Sequence, residues 1–167
     1  MSEFTLGLDF GTSTTLVALP GLEPRVFPVG KEAGNTWLPS VISIDDSAEW
    51  MVGEDADKGA IANQFRSPKS AITHNQQHLK NANGVEISAD EAIKKIIIEV
   101  RNRCIENGLN NFSQVRLSCP AMWTGIQRKR LIKLVNEAGF VSDIDNVLDE
   151  PISASIAWWW SRFSKGL

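Results

Sequence analysis

The stretch Leu6–Leu19, with the sequence LGLDFGTSTTLVAL, decides the fold. An apolar run with Asp9 near its end is broken by small polar residues and resumes at Thr15. Two apolar runs joined in this way predict two strands connected by a tight turn. A glycine lets such a turn approach a ligand closely, while exposed amides and hydroxyls donate hydrogen bonds to phosphate oxygens. The predicted phosphate-binding residues are Gly11, Thr12, Ser13 and Thr14.

Asp9 lies directly beside this turn, where a bare carboxylate would repel an anionic ligand. We therefore expect Asp9 to act through a divalent cation or through the waters of that cation. Magnesium keeps most of its hydration shell and needs only one or two carboxylates in addition to phosphate oxygens. The stretch alone leaves a second interpretation open, which is a hairpin turn with a solvated aspartate.

The composition narrows the class of protein. The chain has 167 residues, of which 17 are basic and 20 acidic, and its formal net charge is -3. This balance argues against a surface built for nucleic acid or for an anionic membrane. Cys104 and Cys119 form no Cys-x-x-Cys motif, which favours a reducing compartment. The sequence shows no secretory leader and no apolar run long enough to span a bilayer, so we expect a cytoplasmic protein.

The order of predicted elements is typical of a layered α/β domain. Three early strands form a meander, and a strand–helix–strand–helix series fills the second half of the chain. Residues 31–84 are more polar and predict an inserted α+β subdomain, in which we expect Trp37 and Trp50 to pack in a small core. Residues 1–30 and 85–167 are therefore predicted to form one lobe, with a mixed sheet and flanking helices.

Several helix ends carry sequence signals. A Ser or Thr followed three residues later by Glu or Gln predicts a capping box, and glycine is typical just after a helix C-terminus. A proline in the first helical position also favours a helix start. The two helices with both end signals run from Ser88 with Glu91 to Gly108, and from Thr124 with Gln127 to Gly139. A further helix is predicted to begin at Pro151.

Four further segments complete a series of motifs. They are NTWLPSVISI (35–44), WMVGEDA (50–56), VRLSCPAMWTGIQRKRLIKLVNEAGF (115–140) and VLDEPISASIAW (147–158). In the last two, a strand that ends in proline precedes a Gln-Arg helix with an Ala-Gly end, and a Glu-Pro helix rich in small residues follows. Together with the Asp-Gly-Thr hairpin, this order resembles the first lobe of the ATPase domain of the heat-shock protein 70 (DnaK-like) chaperone family. The resemblance implies an actin-like (ribonuclease H-like) fold.

The resemblance also implies roles for single residues. Asp9 matches the family's magnesium-side aspartate, and Glu150 matches the glutamate that faces the metal and the attacking water. Lys69 stands where the family has its catalytic lysine, whose ammonium would stabilise charge on the phosphoryl group and on that water. Residues 70–73 differ from the family's arginine-leucine-isoleucine-glycine run, so a solvated surface lysine is the alternative. Gly11, Thr12 and Ser13 match the phosphate-binding turn.

Pro120 and Arg128 match the family's proline switch and the arginine that relays the nucleotide state to neighbouring domains. By residue pattern alone, they are a strand stop and a residue on a solvated helix face. The resemblance therefore implies interdomain coupling through these two positions.

The resemblance implies ATP or ADP with magnesium as cofactors, and a second lobe that completes the ATP site. The parent protein is expected to hydrolyse ATP slowly in order to bind and release unfolded polypeptide clients. A substrate-binding domain, co-chaperones, a nucleotide exchange factor and a function in the stress response are implied in the same way. This chain alone is expected to hold half a site and to be inactive.

The helix with Trp158, Trp159 and Trp160 must turn at least one ring away from the core of this lobe. We expect that ring to pack on the second lobe or to drive self-association.

Three alternatives stay open. A filament-forming bacterial actin-like protein shares the hairpin, the strand-proline and the Glu-Pro helix. A sugar or acetate kinase of the same superfold would activate a substrate hydroxyl instead of water. A regulator that binds nucleotide without turnover would fit the unusual residues after Lys69.

Overall fold

The computed structural model describes residues 4–21, 24–45 and 47–163. The strands and helices alternate irregularly along the chain, and most strands before residue 90 are short. In chain order they are β1 (Phe4–Phe10), β2 (Thr14–Leu19), β3 (Arg25–Phe27), β4 (Trp37–Pro39), β5 (Val41–Ile44), β6 (Trp50–Val52), α1 (Glu54–Lys58), β7 (Gln64–Arg66), α2 (Lys69–Thr73), β8 (His78–Lys80), β9 (Glu86–Ser88), α3 (Ala89–Glu106), β10 (Phe112–Cys119), α4 (Gly125–Glu137), β11 (Val147–Asp149) and α5 (Glu150–Phe163).

The main sheet is mixed, as the sequence predicts. Its strand order is β11-β10-β1-β2-β3, and β4 also pairs with β2. The strand β1 is parallel to β10, which is parallel to β11, whereas the early meander β1-β2-β3 is antiparallel. A second, antiparallel sheet has the order β6-β5-β7, and β8 pairs with β9. The predicted mixed α/β architecture with flanking helices is confirmed.

The boundary of the inserted subdomain stays a prediction. The second sheet lies within residues 31–84, but β4 from the same range pairs with β2 of the main sheet. Trp50 is partly buried and packs against the main core, with the Nζ of Lys95 4.7 Å from its ring centroid. The prediction for Trp37 is wrong, because this side chain is 43% exposed.

Alternation along the central strands separates a core face from an open face. Successive side chains of a strand point to opposite sides of the sheet. In β1, Leu6, Leu8 and Phe10 are buried, whereas Asp9 is exposed. In β10, Val115, Leu117 and Cys119 are buried in the same core cluster. The helix α3 adds its buried stripe to this cluster through Ala92, Ile93, Ile96, Ile97, Val100 and Cys104.

The predicted helix ends agree with the structure. Ser88 Oγ accepts a hydrogen bond from the Glu91 amide at 3.3 Å, which forms one half of the predicted capping box. The Thr124 amide donates to Gln127 Oε1 at 2.7 Å. Gly108 and Gly139, just beyond α3 and α4, have φ angles of 87° and 90°. This left-handed conformation favours glycine after a helix.

The substitution Ser88→Ala is expected to lower the free energy of unfolding by about 1 kcal/mol, because the Glu91 amide loses its capping acceptor. Urea unfolding followed by circular dichroism measures this loss. Ser155→Ala is the matched control, since Ser155 Oγ donates to the Pro151 carbonyl inside α5. Its expected change is within about 0.5 kcal/mol. Equal losses in both variants would contradict the capping role.

A buried ionic network joins α3 to α1. Arg103 donates from Nη1 to Glu54 Oε2 at 2.8 Å and to the Val29 carbonyl at 2.9 Å, and from Nε to Glu99 Oε1 at 2.8 Å. Burial by itself lowers the pKa of Arg103. The hydrogen bonds and charges of Glu99 and Glu54 outweigh that effect and hold the pKa above its ordinary value. The guanidinium therefore stays charged, and removal of one partner would leave a buried charge unpaired.

The strand β10 is longer than predicted. The sequence pattern predicts a strand over residues 115–119, but the structure begins it at Phe112. Phe112 pairs with Phe4 of β1, so the parallel ladder itself extends the strand into polar sequence.

Among the described residues, every helix is too short or too polar to cross a membrane.

Candidate functional site

A cleft of about 710 Å³ opens on the face of the main sheet opposite to the core. Its walls come from β1, β2 and β10 on one side and from the start of α5 on the other. It is lined by Gly7, Leu8, Asp9, Gly11, Thr12, Leu16, Val17, Ala18, Val26, Lys69, Arg116, Leu117, Ser118, Leu148, Glu150, Ser153, Ala154 and Ala157. Five of the predicted site residues, from three separate parts of the sequence, therefore meet in one cleft: Asp9, Gly11, Thr12, Lys69 and Glu150.

Asp9 stands on the open face of β1 and is held by the neighbouring strand. Ser118 of β10 donates from Oγ to Asp9 Oδ1 at 2.7 Å. The bond fixes one carboxylate oxygen and leaves the other without a hydrogen bond among the described residues. Our sequence reasoning missed Ser118. The alternation of Arg116, Leu117 and Ser118 could have found it, because that pattern places Ser118 on the open face.

Gly11 is required by the turn itself. Its amide donates to the Thr14 carbonyl at 3.0 Å. A Cβ at this position would lie 2.3 Å from the Thr14 carbonyl oxygen, so a larger residue would force the turn open. The sequence prediction explained Gly11 by close approach to a ligand. The structure adds a reason that needs no ligand.

The other residues of the turn separate into two groups. Thr12 lines the cleft, whereas Ser13 and Thr14 do not. The Ser13 carbonyl accepts from the Ser40 amide at 2.8 Å, and Thr14 begins β2. In the described part of the chain, the amides of Thr12 and Ser13 donate to no other group. The turn thus has two amides available for an anion, while Ser13 and Thr14 hold it to Ser40 and to Pro39 of β4.

Lys69 and Glu150 form an ion pair at the end of the cleft. Lys69 begins α2 and Glu150 begins α5, and they are 81 residues apart in the chain. Lys69 Nζ donates to Glu150 Oε1 at 2.5 Å. Lys69 is only 3% exposed, so the alternative of a solvated surface lysine is wrong. The catalytic roles of both residues stay predictions.

Trp123 is a second residue that sequence reasoning missed. It lies between β10 and α4 and is 3% exposed. The centroid of its ring is 5.7 Å from Lys69 Nζ, and its indole Nε1 donates to Thr73 Oγ1 at 3.0 Å. Trp123 follows Pro120 by three residues in a short loop, where no strand or helix periodicity separates buried from exposed positions, so no pattern indicated it.

Pro120 and Arg128 both contact Trp123, whose ring faces Lys69. Pro120 directly follows β10, and its carbonyl accepts from the Trp123 amide at 3.0 Å. Arg128 donates from Nε to the Trp123 carbonyl at 3.1 Å and forms an ion pair with Asp149. Arg128 therefore connects Trp123, whose ring faces Lys69, to Asp149, the residue immediately before Glu150. Interdomain coupling through Pro120 and Arg128 stays a prediction.

Cys119 lies at the end of β10, directly before Pro120. Burial raises the pKa of its thiol above the ordinary value, with smaller opposing effects from Arg128 and Lys69. The thiol is therefore neutral at physiological pH and is a poor nucleophile. Cys119 packs in the core and adds no chemistry to the cleft.

The donor set of the cleft fits a hydrated cation better than a dehydrated one. No group of three His, Cys, Asp or Glu side chains able to hold a metal occurs in the described ranges. Asp9 and Glu150 both line the cleft, together with the turn of Gly11 and Thr12. One or two carboxylates are enough for a magnesium ion that keeps its waters and also binds phosphate oxygens. The residues present thus fit a magnesium–phosphate ligand.

The C-terminal helix α5 presents its aromatic side chains to solvent. Trp158, Trp159 and Trp160 are 59%, 56% and 40% exposed, and Ile152 and Ile156 are also exposed. The prediction that at least one ring faces away from the core is confirmed. The predicted packing on a second lobe, or self-association, stays a prediction.

No family model matches the chain. Curated proteins nevertheless match over nearly its whole length. The chain is 25% identical over 166 residues to the chaperone protein DnaK of Thermosipho melanesiensis and to that of Thermotoga maritima. These alignments cover 98% of the chain. The chain is 24% identical over 159 residues, or 93% of its length, to the chaperone protein DnaK of Thermosipho africanus.

The chain spans about a quarter of the length of these relatives, with 27%, 27% and 26% of their sequences covered. The match agrees with the motif order of the sequence, from the Asp-Gly-Thr hairpin to the Glu-Pro helix. The chain is therefore similar, over nearly its whole length, to the heat-shock protein 70 (DnaK-like) chaperones.

Proposed function

We propose that the cleft binds the phosphates of ATP or ADP with magnesium, as the first lobe of an actin-like ATPase domain. The observation that carries the proposal is the meeting of Lys69 and Glu150, 81 residues apart, in the cleft that also holds Asp9 and the Gly11 turn. A buried ammonium, two carboxylates and free turn amides are the groups that a magnesium–phosphate ligand needs. The relation to DnaK chaperones supports the same ligand.

Each group has a distinct task in this proposal. The amides of Thr12 and Ser13 and the hydroxyl of Thr12 donate to phosphate oxygens. Asp9, fixed by Ser118, accepts hydrogen bonds from magnesium-bound waters, and the metal neutralises phosphate charge when it is bound. Glu150 orients the attacking water. The ammonium of Lys69 lies where negative charge develops on the transferred phosphoryl group.

At the level of the whole protein, we propose a slow ATPase that couples hydrolysis to binding and release of unfolded polypeptides. A second lobe would complete the ATP site, so this chain alone is expected to be inactive. Co-chaperones, a nucleotide exchange factor and a cytoplasmic location belong to the same proposal. So does transmission of the nucleotide state through Pro120 and Arg128. The support is the relation to DnaK chaperones, of which this chain spans about a quarter.

Calorimetric titration of the full-length protein with ATP tests the proposal. We expect binding that weakens on removal of magnesium. Asp9→Asn is expected to reduce magnesium-dependent affinity by about 10- to 100-fold, because groups that hold metal-bound waters have effects of this size. Asp57→Asn is the matched control, since Asp57 pairs with Arg66 outside the cleft.

The binding proposal fails if ATP does not bind at millimolar concentration, or if Asp9→Asn and the control behave alike. Tight binding without turnover would leave the ligand assignment intact and replace the ATPase by a nucleotide-binding regulator. Turnover that needs a sugar or acetate acceptor would indicate a kinase, and nucleotide-dependent filaments would indicate a cytoskeletal protein.

A further inference from the structure

Trp123 connects both ends of α2 to the loop after β10. Its ring faces Lys69 Nζ, at the start of α2, with 5.7 Å from the ring centroid. Its indole Nε1 donates to Thr73 Oγ1, at the end of the same helix, at 3.0 Å. On α4, Gln127 Nε2 donates to the Thr73 carbonyl at 3.3 Å. The five-residue helix α2 therefore contacts Trp123 at its first residue, and Trp123 and Gln127 at its last residue.

The indole is suited to this position for two physical reasons. A buried ammonium is stabilised by the negative face of an aromatic ring, and tryptophan provides the strongest such interaction. A buried indole N–H also needs an acceptor, and Thr73 supplies it. The acceptor fixes the orientation of the ring, so the ring face stays directed at Lys69.

The contacts of Trp123 continue to the other half of the ion pair. Its carbonyl accepts from Arg128 Nε, and Arg128 pairs with Asp149, the residue before Glu150. Lys69 and Glu150 are thus connected directly by their ion pair and indirectly through Trp123 and Arg128. A shift of the indole would move the ammonium relative to the carboxylate.

We propose that Trp123 is a positioning residue, which holds the Lys69 ammonium against Glu150 in the cleft. The consequence for catalysis rests on the proposed ATPase function. The position of the Lys69 ammonium relative to the indole does not rest on that function, because it can be measured without ATP turnover.

The first test is ¹⁵N NMR of the lysine ammonium groups in the 167-residue chain. The Lys69 signal is assigned by its disappearance in Lys69→Arg. We expect slow proton exchange and an upfield ring-current shift for the Lys69 ammonium. Both should be lost in Trp123→Leu and largely kept in Trp123→Phe. Trp37→Leu, on the exposed part of β4, is the control and should leave the signal unchanged.

The second test is single-turnover ATP hydrolysis by the full-length protein. We expect Trp123→Leu to lower the rate about tenfold with little change in ATP affinity, and Trp123→Phe to lower it less. Thr73→Val, which removes the indole acceptor while keeping the side-chain shape, should give a smaller loss. In a Lys69→Ala background, Trp123→Leu should cause no further loss, because the indole acts through the ammonium.

An unchanged Lys69 signal in Trp123→Leu would overturn the proposal. So would a loss of rate from Trp123→Leu that is as large in the Lys69→Ala background as in the wild type. If Trp123→Leu does not fold, Trp123→Phe and Thr73→Val still test the proposal. The ring-current shift of the Lys69 ammonium should then be kept in Trp123→Phe and should change in Thr73→Val. A wild-type protein that hydrolyses no ATP but shows the expected shifts would refute the ATPase function and leave the positioning role standing.

Discussion

Replacement of Lys69 by Ala in the full-length protein is expected to lower the single-turnover rate of ATP hydrolysis by about 100- to 1,000-fold. The ammonium is buried beside Glu150 and lines the cleft, so its charge acts where solvent screening is weak. Loss of one such preorganised group typically has this effect on the rate. ATP affinity should change far less, because the charge of the phosphoryl group changes mainly in the transition state.

The control for Lys69→Ala is Lys80→Ala. Lys80 is an exposed lysine on β8 that pairs with Glu86. Its replacement should leave both rate and affinity unchanged. A similar rate for wild type and Lys69→Ala, with ATP still bound, would remove Lys69 from the proposed mechanism. A parallel loss of rate and affinity would make Lys69 a ligand of the bound nucleotide with no preference for the transition state.

The largest expected loss of stability comes from Arg103→Met. Methionine keeps the length of the side chain but leaves Glu54 buried without its cation. Removal of one partner from a buried ion pair costs about 3–5 kcal/mol. Urea unfolding followed by circular dichroism should show this loss in the free energy of unfolding.

Two comparisons make the Arg103 prediction specific. Lys31→Ala removes an exposed ion pair with Asp55 and should cost less than about 1 kcal/mol. The double variant Arg103→Met with Glu54→Leu should recover much of the loss, because an apolar pair leaves no buried charge. A double variant as unstable as Arg103→Met would show that packing, and not the unpaired carboxylate, explains the loss.

Local signals in the sequence were sufficient for much of the fold. The hairpin, the two long helices and their caps depend on neighbouring residues, such as Thr124 with Gln127, and the structure confirms them. The pairing of β4 with β2 was not predictable in this way, since it joins short segments that are distant in sequence. The exposed ring of Trp37 follows from that pairing and was therefore also missed.

The candidate site was predicted unevenly for a related reason. The motif order indicated Asp9, Lys69 and Glu150, and the structure brings all three to one cleft. Ser118 and Trp123 act through contacts with residues of other elements, 109 and 50 positions away. Alternation along β10 places Ser118 on the open face, but no sequence spacing indicates that it contacts Asp9 or that Trp123 contacts Thr73. Supporting side chains are therefore the part of a site that a single sequence reveals least.

The parallel pairing of β1 with β10 also has a consequence for synthesis on the ribosome. Asp9 and Ser118, on these two central strands, are 109 positions apart. At ordinary elongation rates, β10 follows β1 after about 5 to 20 s. During that time the nascent hairpin has one unpaired edge, and its apolar residues lack the later partners with which they share the core cluster. The order of translation therefore delays the formation of the cleft until β10 and α5, which supply Ser118 and Glu150, have been synthesised.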